Sequence, residues 1–321
     1  MILFPLILLI IQLPFFLQDP SPLGTNISVF NNFFGTWSEN YTFLFKLSKV
    51  VIVLLSAISL YSLVNKLELQ RVKGHHALYW FGFLNSFFLG AEMDLSIPIA
   101  NLFVILSLSR TLSVYRDSKA YSVAFDAGLY LGCAILFNPF YFLLILFTFI
   151  ALSTLKTLNY REVILAIAGL LAPVIMVTFV IYFFDLSVPS YFGQLSWTPG
   201  EMFDLIKNNV NDASVLSFIG NLLTIVVIVY GVFKIIQIAN SENTKRSKVF
   251  QLFFILTVFM AIIQLLSKLN GMNVPSIIIL SVPLSGLMIH FFTGAKLTWI
   301  SISLFYIWLI IAIVNGVVAI I

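Results

Sequence analysis

The chain has 321 residues, of which 60% are hydrophobic and 9% are charged, and its formal net charge is +4. A water-soluble domain of this length carries far more charge on its surface, so the composition excludes one and predicts that lipid surrounds most of the chain. The positive charge does not indicate nucleic-acid binding, because the basic residues lie at the ends of apolar segments. The single cysteine, Cys133, excludes a disulfide within the chain.

Apolar segments recur along nearly the whole chain and predict an all-α, multi-pass membrane protein in one transmembrane domain, residues 1–321. A spanning helix needs about 20 apolar residues, and on that basis we expect a bundle of about eleven helices. The predicted helices are Ile2–Leu17, Phe45–Val64, Ala77–Gly90, Leu95–Leu108, Tyr121–Phe137, Phe140–Leu155, Val163–Phe184, Ala213–Ile236, Phe250–Leu266, Val274–His290 and Leu297–Ala319. The first has no basic stretch before it and no cleavage site of small residues after it, so we expect a retained span.

The positions of the basic residues predict an orientation. With the N-terminus in the cytoplasm, most of the 17 lysine and arginine residues fall on the cytoplasmic side. The exceptions are Lys46, Lys49, Lys207 and Lys268. This asymmetry follows the positive-inside rule and predicts a membrane protein with a cytoplasmic N-terminus and a C-terminus on the outer side.

Two predicted outer loops are long enough to fold back onto the membrane. The loop at 18–43 carries aromatic residues, which favour the headgroup level of a bilayer. They are Phe30, Phe33, Phe34, Trp37 and Tyr41. In the loop at 185–212, Thr198, Pro199 and Glu201 have the pattern of a capped helix start, which predicts a short interfacial helix over Pro199–Asn208.

Three acidic residues are the candidate catalytic groups. Asp19 follows the first span, and Glu92 and Asp94 lie at the tip of the hairpin between the third and fourth spans. Carboxylates at a membrane boundary are suited to bind a divalent cation or to act as general base on a lipid-linked substrate. The alternative is that all three are solvated loop charges.

The candidate substrate-binding residues are basic or amide side chains on the same side of the membrane. Lys46, Lys207 and Lys268 are suited to a phosphate group. Asn138 precedes Pro139 at an outer turn and is available to hold a substrate hydroxyl. The simpler interpretation of this turn is that Pro139 starts the next helix.

Asp126 enters the fifth predicted span near its cytoplasmic end. An acidic residue at that depth is normally paired or functional, and Arg110 is a candidate partner. We favour a structural ion pair over a proton relay. Gly128 and Gly132 follow at small-xxx-small spacing, which favours close contact with another helix.

One stretch resembles an enzyme family. Ala91–Asp94 and the apolar hairpins that reach Phe125–Gly132 resemble the middle of C-type glycosyltransferases, which are polytopic enzymes that use polyprenyl-linked sugars. The resemblance implies a glycosyltransferase-like arrangement of residues 1–184, followed by the interfacial loop and a helix bundle at 213–321. It also implies that Asp19 matches the acid of the first outer loop, and that Glu92 and Asp94 match the acids of a later one.

The whole chain is also similar to a family of uncharacterised inner-membrane proteins of diderm bacteria. The similarity is carried by the run Phe125–Phe137, which includes Gly128 and Gly132, and by Tyr160-Arg161-Glu162 before an apolar span. This family has no assigned reaction.

Two hypotheses for function follow. In the first, the protein is a membrane subunit or scaffold of an envelope-biogenesis or secretion complex, with membrane lipid and other membrane proteins as partners. In the second, it is an enzyme that uses a polyprenyl-phosphate lipid on the outer face, with Asp19, Glu92 and Asp94 as its catalytic residues. The sequence has no zinc motif, phosphate-binding glycine loop or nucleophile elbow, so we predict no metal site, and a divalent cation enters only under the second hypothesis.

Overall fold

The structure, a computed structural model, describes residues 30, 34, 36–37, 40–67, 76–86, 95–114, 121–156, 158–184, 244–269 and 276–294. These residues form α-helices and one 3₁₀ helix, and they contain no strand. The helices are α1 Thr42–Lys66, α2 His76–Ser86, α3 Ser96–Ser113, α4 Tyr121–Phe137, the 3₁₀ helix Pro139–Leu143, α5 Leu144–Leu155, α6 Tyr160–Phe183, α7 Thr244–Leu269 and α8 Ser276–Gly294. The predicted all-α class is confirmed for this part of the chain.

Four of the described helices are long and apolar enough to cross a membrane. They are Thr42–Lys66, Ser96–Ser113, Tyr160–Phe183 and Ser247–Ser267 within α7. The segments Tyr121–Phe137, Pro139–Leu155 and Ile278–Leu287 are apolar but shorter. This composition fits a membrane protein.

The predicted bounds of α4 agree with the structure, and the predicted helix over Phe140–Leu155 is helical throughout but begins as a 3₁₀ helix. Asn138 is extended (φ −145°, ψ 110°), and its side-chain oxygen accepts a hydrogen bond from the backbone N–H of Phe140. With Pro139 in the next position, the chain winds first into the tighter 3₁₀ helix and then into α5.

Several predicted elements lie outside the described residues. They are the spans Ile2–Leu17, Ala213–Ile236 and Leu297–Ala319 and the interfacial helix Pro199–Asn208. The total of about eleven helices therefore stays a prediction.

The main core lies where α1, α2, α3, α5, α7 and α8 meet, together with the 3₁₀ helix. Its largest fully buried side chains include Tyr141, Phe81, Phe250 and Phe253. Gly286 of α8 lies directly against the ring of Phe253 on α7, so these two helices pack closely at that level.

α4 and α6 pack through glycine. A Cβ atom at Gly128 would overlap the carbonyl oxygen of Ala166, and a Cβ at Gly132 would overlap that of Leu170. Gly169 of α6 lies equally close to the backbone of α4 at Phe125. Because both residue numbers increase together along the contact, the two helices run parallel, and α5 returns the chain between them.

Polar contacts place the ends of five helices at one end of the bundle, which we call the charged end. Arg110 near the end of α3 faces Asp126 near the start of α4 at 3.7 Å. Lys248 at the start of α7 donates to the carbonyl of Thr154 at the end of α5 (2.9 Å). Arg161 in the first turn of α6 lies beside Tyr121 at the start of α4.

At the opposite end, aromatic side chains cover the helices; we call this the aromatic end. Phe45 of α1 and Leu95 before α3 pack in one cluster with Phe34, and the ring of Phe137 at the end of α4 stacks on Phe30 with centroids 5.1 Å apart. The sequence predicts that Phe30, Phe34 and Trp37 lie at headgroup level; in the structure they pack onto the end of the bundle.

Substituting Gly128 by Ala tests the contact between α4 and α6. Because the new methyl group would meet backbone rather than a movable side chain, we expect the free energy of unfolding to fall by about 1–3 kcal/mol. Thermal unfolding in detergent measures the loss. Ala168→Val, on the exposed side of α6, is the matched control and should leave the unfolding midpoint unchanged. Equal midpoints for both variants would contradict the described packing.

Candidate functional site in a buried polar layer

Three helical elements are joined by a chain of buried hydrogen bonds near the aromatic end. The hydroxyl of Tyr141 in the 3₁₀ helix donates to Oδ1 of Asn101 on α3 (2.7 Å). The Nδ2 of Asn101 donates to the backbone carbonyl of Ile278 on α8 (2.8 Å). Both side chains are fully buried. The bonds fix the relative positions of α3, α8 and the 3₁₀ helix, because each unmade bond would leave a polar group unsatisfied in the core.

Two serine hydroxyls and a proline lie along α8 beside this contact. Pro283 removes one N–H from the helix and disturbs the turn before it. The hydroxyls of Ser281 and Ser285 donate to the carbonyls of Ile278 and Val282 around this point. The carbonyl of Ile278 thus accepts from the side chains of both Ser281 and Asn101.

Asn138 lies directly after α4 and is 1% exposed. Its Oδ1 accepts the cap hydrogen bond from Phe140. Its Nδ2 has no hydrogen-bond partner within the described residues. A buried amide donor that stays unpaired costs about 1–3 kcal/mol, so this group is the strongest local indication of a missing acceptor.

Ser267 is the second buried polar group of this kind. α7 runs antiparallel to α5, since Lys248 meets Thr154 at the charged end and Phe259 meets Phe147 edge-on further along. About two turns beyond Phe259, Ser267 lies level with the 3₁₀ helix, which α7 also contacts. Its hydroxyl is buried and, over the ranges that the structure describes, has no partner.

Lys49 brings a positive charge into the same end of the bundle. It lies one turn after Phe45 on α1 and is only 7% exposed. Its Nζ is 4.9 Å from the centroid of the Phe45 ring, which is the geometry of a cation–π contact. Phe45 in turn meets Trp37 edge-on, with ring centroids 5.8 Å apart.

We define the polar layer as Lys49, Asn101, Asn138, Tyr141 and Ser267.

The structure places some of the predicted site residues and leaves others outside the described part. Asn138 belongs to the polar layer, and Lys46 is half-buried in the first turns of α1 at the same end. Lys268 lies in the last turn of α7, next to Ser267. Asp19, Glu92, Asp94 and Lys207 lie outside the described residues, so the proposed catalytic roles stay predictions.

Asn101, Tyr141 and Ser267 are members of the polar layer that sequence analysis does not single out. The isolated Asn101 within an otherwise apolar span is a usable signal, because an amide at that depth needs a partner. Tyr141 and Ser267 carry no such signal, since tyrosine and serine are common in membrane helices and most bond to nearby backbone or the interface.

The described residues contain no group of three or more His, Cys, Asp or Glu side chains that could hold a metal ion. The described acidic residues, Asp126 and Glu162, both lie at the charged end. Arg110 and Asp126, predicted as a structural ion pair, lie 3.7 Å apart with about half and about a third of their side chains exposed.

A second ion pair at the charged end is buried, and sequence analysis missed it. Lys156 follows α5, and its Nζ lies 2.5 Å from Oε1 of Glu162 in the first turn of α6. The two side chains are 5% and 1% exposed. The pair closes the turn between α5 and α6, and Glu162 at the start of a helix also suits the helix dipole.

Substituting Glu162 by Gln tests this pair. The change leaves the buried ammonium of Lys156 without its counter-charge, so we expect a loss of about 3–5 kcal/mol in the free energy of unfolding. Asp126→Asn is the matched control: it breaks a partly exposed pair and should cost at most about 1 kcal/mol. Thermal unfolding of both variants in detergent measures the difference.

The double substitution Lys156→Met and Glu162→Leu should recover most of the stability that Glu162→Gln loses, because two apolar side chains replace two buried charges. Equal losses for Glu162→Gln and Asp126→Asn would contradict the burial of the Lys156–Glu162 pair.

Comparison with known proteins supplies a family but no activity. No curated protein and no solved structure matches the chain. The match to a family model extends over residues 25–318, which include every residue of the polar layer and both ion pairs of the charged end. The chain therefore belongs to DUF6427, a family of unknown function.

Proposed function

We propose that the protein is an integral membrane subunit or scaffold of a cell-envelope biogenesis or secretion complex, and that α6 is the helix that receives its partner. The observation that carries this proposal is the exposure of α6. Only 11% of its spanning window is buried, against 44% for α1, 61% for α3 and 50% for the α7 span.

α6 is attached to the bundle along one narrow stripe. Its buried residues are Glu162, Ala166 and Gly169, and its main packing partner is α4. Most of the rest of its surface is apolar and is exposed or half-buried along the helix. The large exposed side chains are Ile164, Ile167, Leu171, Ile175, Met176, Phe179, Val180, Tyr182 and Phe183.

The exposed face of α6 also has room for close approach of another helix. Ala168 and Ala172 are both exposed and lie four residues apart among these larger side chains. Small residues at this spacing allow two membrane helices to pack backbone to backbone, as Gly128 and Gly132 do for α4. The proposed occupant is therefore a single apolar membrane span of another protein.

The proposed orientation puts the charged end in the cytoplasm of a bacterial inner membrane. Arg110, Lys156, Arg161 and Lys248 gather there, which supports this side by the positive-inside rule. The aromatic end then faces outward, with a cytoplasmic N-terminus and a periplasmic C-terminus. A tag fused after Ile321 that is accessible only from the cytosol would contradict this arrangement.

Photo-crosslinking tests the role of α6. A photoreactive residue in place of Met176 or Phe179 should give one discrete adduct with one membrane protein that co-purifies in fixed stoichiometry. The controls are Leu55 on α1 and Val258 on α7, which are exposed and apolar but lie on better-packed helices. We expect no adduct at these controls. If all four positions gave the same mixture of adducts, crosslinking would not be specific to α6, and the proposed partner site on α6 would be contradicted.

The alternative function is an enzyme that transfers a group from a polyprenyl-phosphate lipid at the aromatic end, within a glycosyltransferase-like core. The specific observation in its favour is the buried amide of Asn138, which has an unused donor. Under this proposal Asp19 is the general base or metal ligand, Glu92 and Asp94 assist, and Lys207 or Lys268 holds the phosphate.

Conservative substitutions test the alternative. Asp19→Asn and Glu92→Gln remove negative charge with little change in shape, so an enzyme should lose 10²-fold or more of its rate if either group is a general base. The measurement is complementation of a deletion strain at equal protein level, with Asp126→Asn as the control acid far from the aromatic end. Full complementation by both variants would remove the enzyme hypothesis.

A further inference from the structure

We propose that the outward side of α5, between α6 and α7, is the docking surface for a further membrane-crossing helix of this same chain, residues 213–236. These residues lie outside the part of the chain that the structure describes. The inference does not rest on the scaffold proposal, which concerns a second protein bound to α6. A contact within one chain can be absent while that partner binds, and the reverse holds as well.

The positions of α6 and α7 require a crossing between them. α6 begins at the charged end, where Arg161 lies beside Tyr121, and it runs parallel to α4 towards the aromatic end. α7 also begins at the charged end, where Lys248 donates to the carbonyl of Thr154. The link between these two helices, residues 185–243, therefore has to lead from the aromatic end back to the charged end.

Only one stretch of this link has the composition of a membrane span. Residues 185–212 carry five charged side chains, whereas Lys234 is the one charged residue of 213–236. As a helix, 213–236 would be about 36 Å long, which is enough to cross a bilayer. Lys234 near its end would lie at the charged end, in agreement with the positive-inside rule.

The short connection to α7 limits where this helix can lie. Residues 237–243 lead directly to the start of α7 and can reach at most about 25 Å. Helices joined by so short a connection are usually antiparallel neighbours. The segment 213–236 is therefore expected beside α7, on a side of α7 that the described helices leave open.

α5 is packed on two flanks and open between them. Phe147 meets a ring of α7 edge-on, and Leu152 packs in a cluster with Ala166 of α6. On a regular helix Leu146 and Ser153 lie between these two directions, on the side away from the core, and both are exposed. The open side of α5 thus has α7 along one edge and α6 along the other.

The exposed side of α7 adjoins this open side of α5. Phe259 of α7 faces α5, whereas Phe253 packs against Gly286 of α8. Ile262 is 44% exposed, and on a regular helix it lies nearer to the direction of Phe259 than to that of Phe253. A helix that pairs with α7 on this side therefore lies over Leu146 of α5.

The chemistry of this surface fits an apolar helix. We define the α5 face as Leu146 and Ser153 together with Phe142 in the 3₁₀ helix; Phe142 and Leu146 are 52% and 50% exposed. The hydroxyl of Ser153 donates to the carbonyl of Ile150 in its own helix (2.8 Å). An apolar occupant would therefore leave no side-chain polar group of this face unsatisfied.

Disulfide formation in the full-length protein in membranes tests this contact. In a chain with Cys133→Ala, Leu146→Cys is combined with one further cysteine at each position from 218 to 228 in turn. Leu146 and these positions lie near the middle of their segments and so share a depth. After mild oxidation, we expect disulfide-linked peptides at positions three or four apart, because one side of a helix would face α5. Mass spectrometry of the digested protein identifies them.

Leu55→Cys is the matched control. Leu55 is 49% exposed near the middle of α1, whose main neighbours are α2 and α3. We expect about tenfold more linked peptide with Leu146→Cys than with this control, because Cα atoms more than about 7 Å apart cannot be bridged. Ile262→Cys should also form disulfides in the same scan. Disulfides with Ile262→Cys but none with Leu146→Cys would overturn the contact with α5, as would equal amounts at Leu55.

A second measurement avoids paired substitutions, in case these variants do not fold. A photoreactive residue in place of Leu146, in the otherwise native chain, should give an adduct within the same chain to a peptide from 213–236. An adduct to another segment, to another protein or to lipid alone would overturn the proposal. The crosslinking experiment on α6 instead detects a second protein, so failure of one proposal is distinguishable from failure of the other.

Discussion

The constraint on which this structure depends is that a polar group buried in a membrane bundle must find its partner within the protein. Most of the buried hydroxyls solve this locally, by donating to a carbonyl one turn earlier in their own helix. Thr111, Thr148 and Thr257 do so to Ser107, Leu144 and Phe253. These bonds satisfy the side chain without joining helices, so they leave the packing to apolar contacts.

The bonds that do join helices are few, and each fixes a different part of the bundle. Ser107 of α3 donates to the carbonyl of Ala127 on α4. Asn101 ties α3 to α8, and Lys248 ties α7 to α5. Against this background the unused donor of Asn138 and the hydroxyl of Ser267 are exceptions, and Asn138 lies where the 3₁₀ helix interrupts the regular hydrogen bonding of α4 and α5. An irregular backbone segment within a membrane bundle is tolerated where it is buried in protein or lines a site.

Hydrophobic runs and helix signals in the sequence predicted much of the fold. The bounds of α4 follow from the apolar run after Tyr121 and the Asn138-Pro139 stop, and the spacing of Gly128 and Gly132 predicted a close contact. The partner of that contact was not predictable, because the spacing does not say which helix will approach. The Lys156–Glu162 pair was missed for a related reason: its residues are six apart and meet only because the turn after α5 folds back.

The candidate site, like the fold, could be predicted from the sequence only in part. Asn138 could be chosen from the sequence because it precedes a proline at a helix boundary. That its Nδ2 donor has no hydrogen-bond partner could be learned only from the packing. Asn101 and Tyr141 are far apart in the chain and meet because α3 and the 3₁₀ helix converge. Lys49 was assigned to a side of the membrane by its charge, but its burial depends on how α1 packs against the aromatic cluster.

The parallel contact of α4 with α6 has a consequence for biosynthesis. The glycine surface of α4 fits a helix that is made only after α5 has been synthesised and has turned the chain back. During translation the glycine surface of α4 therefore stays uncovered until α6 has been made. Because this surface consists of glycine and apolar side chains, it leaves no polar group unsatisfied before α6 packs against it.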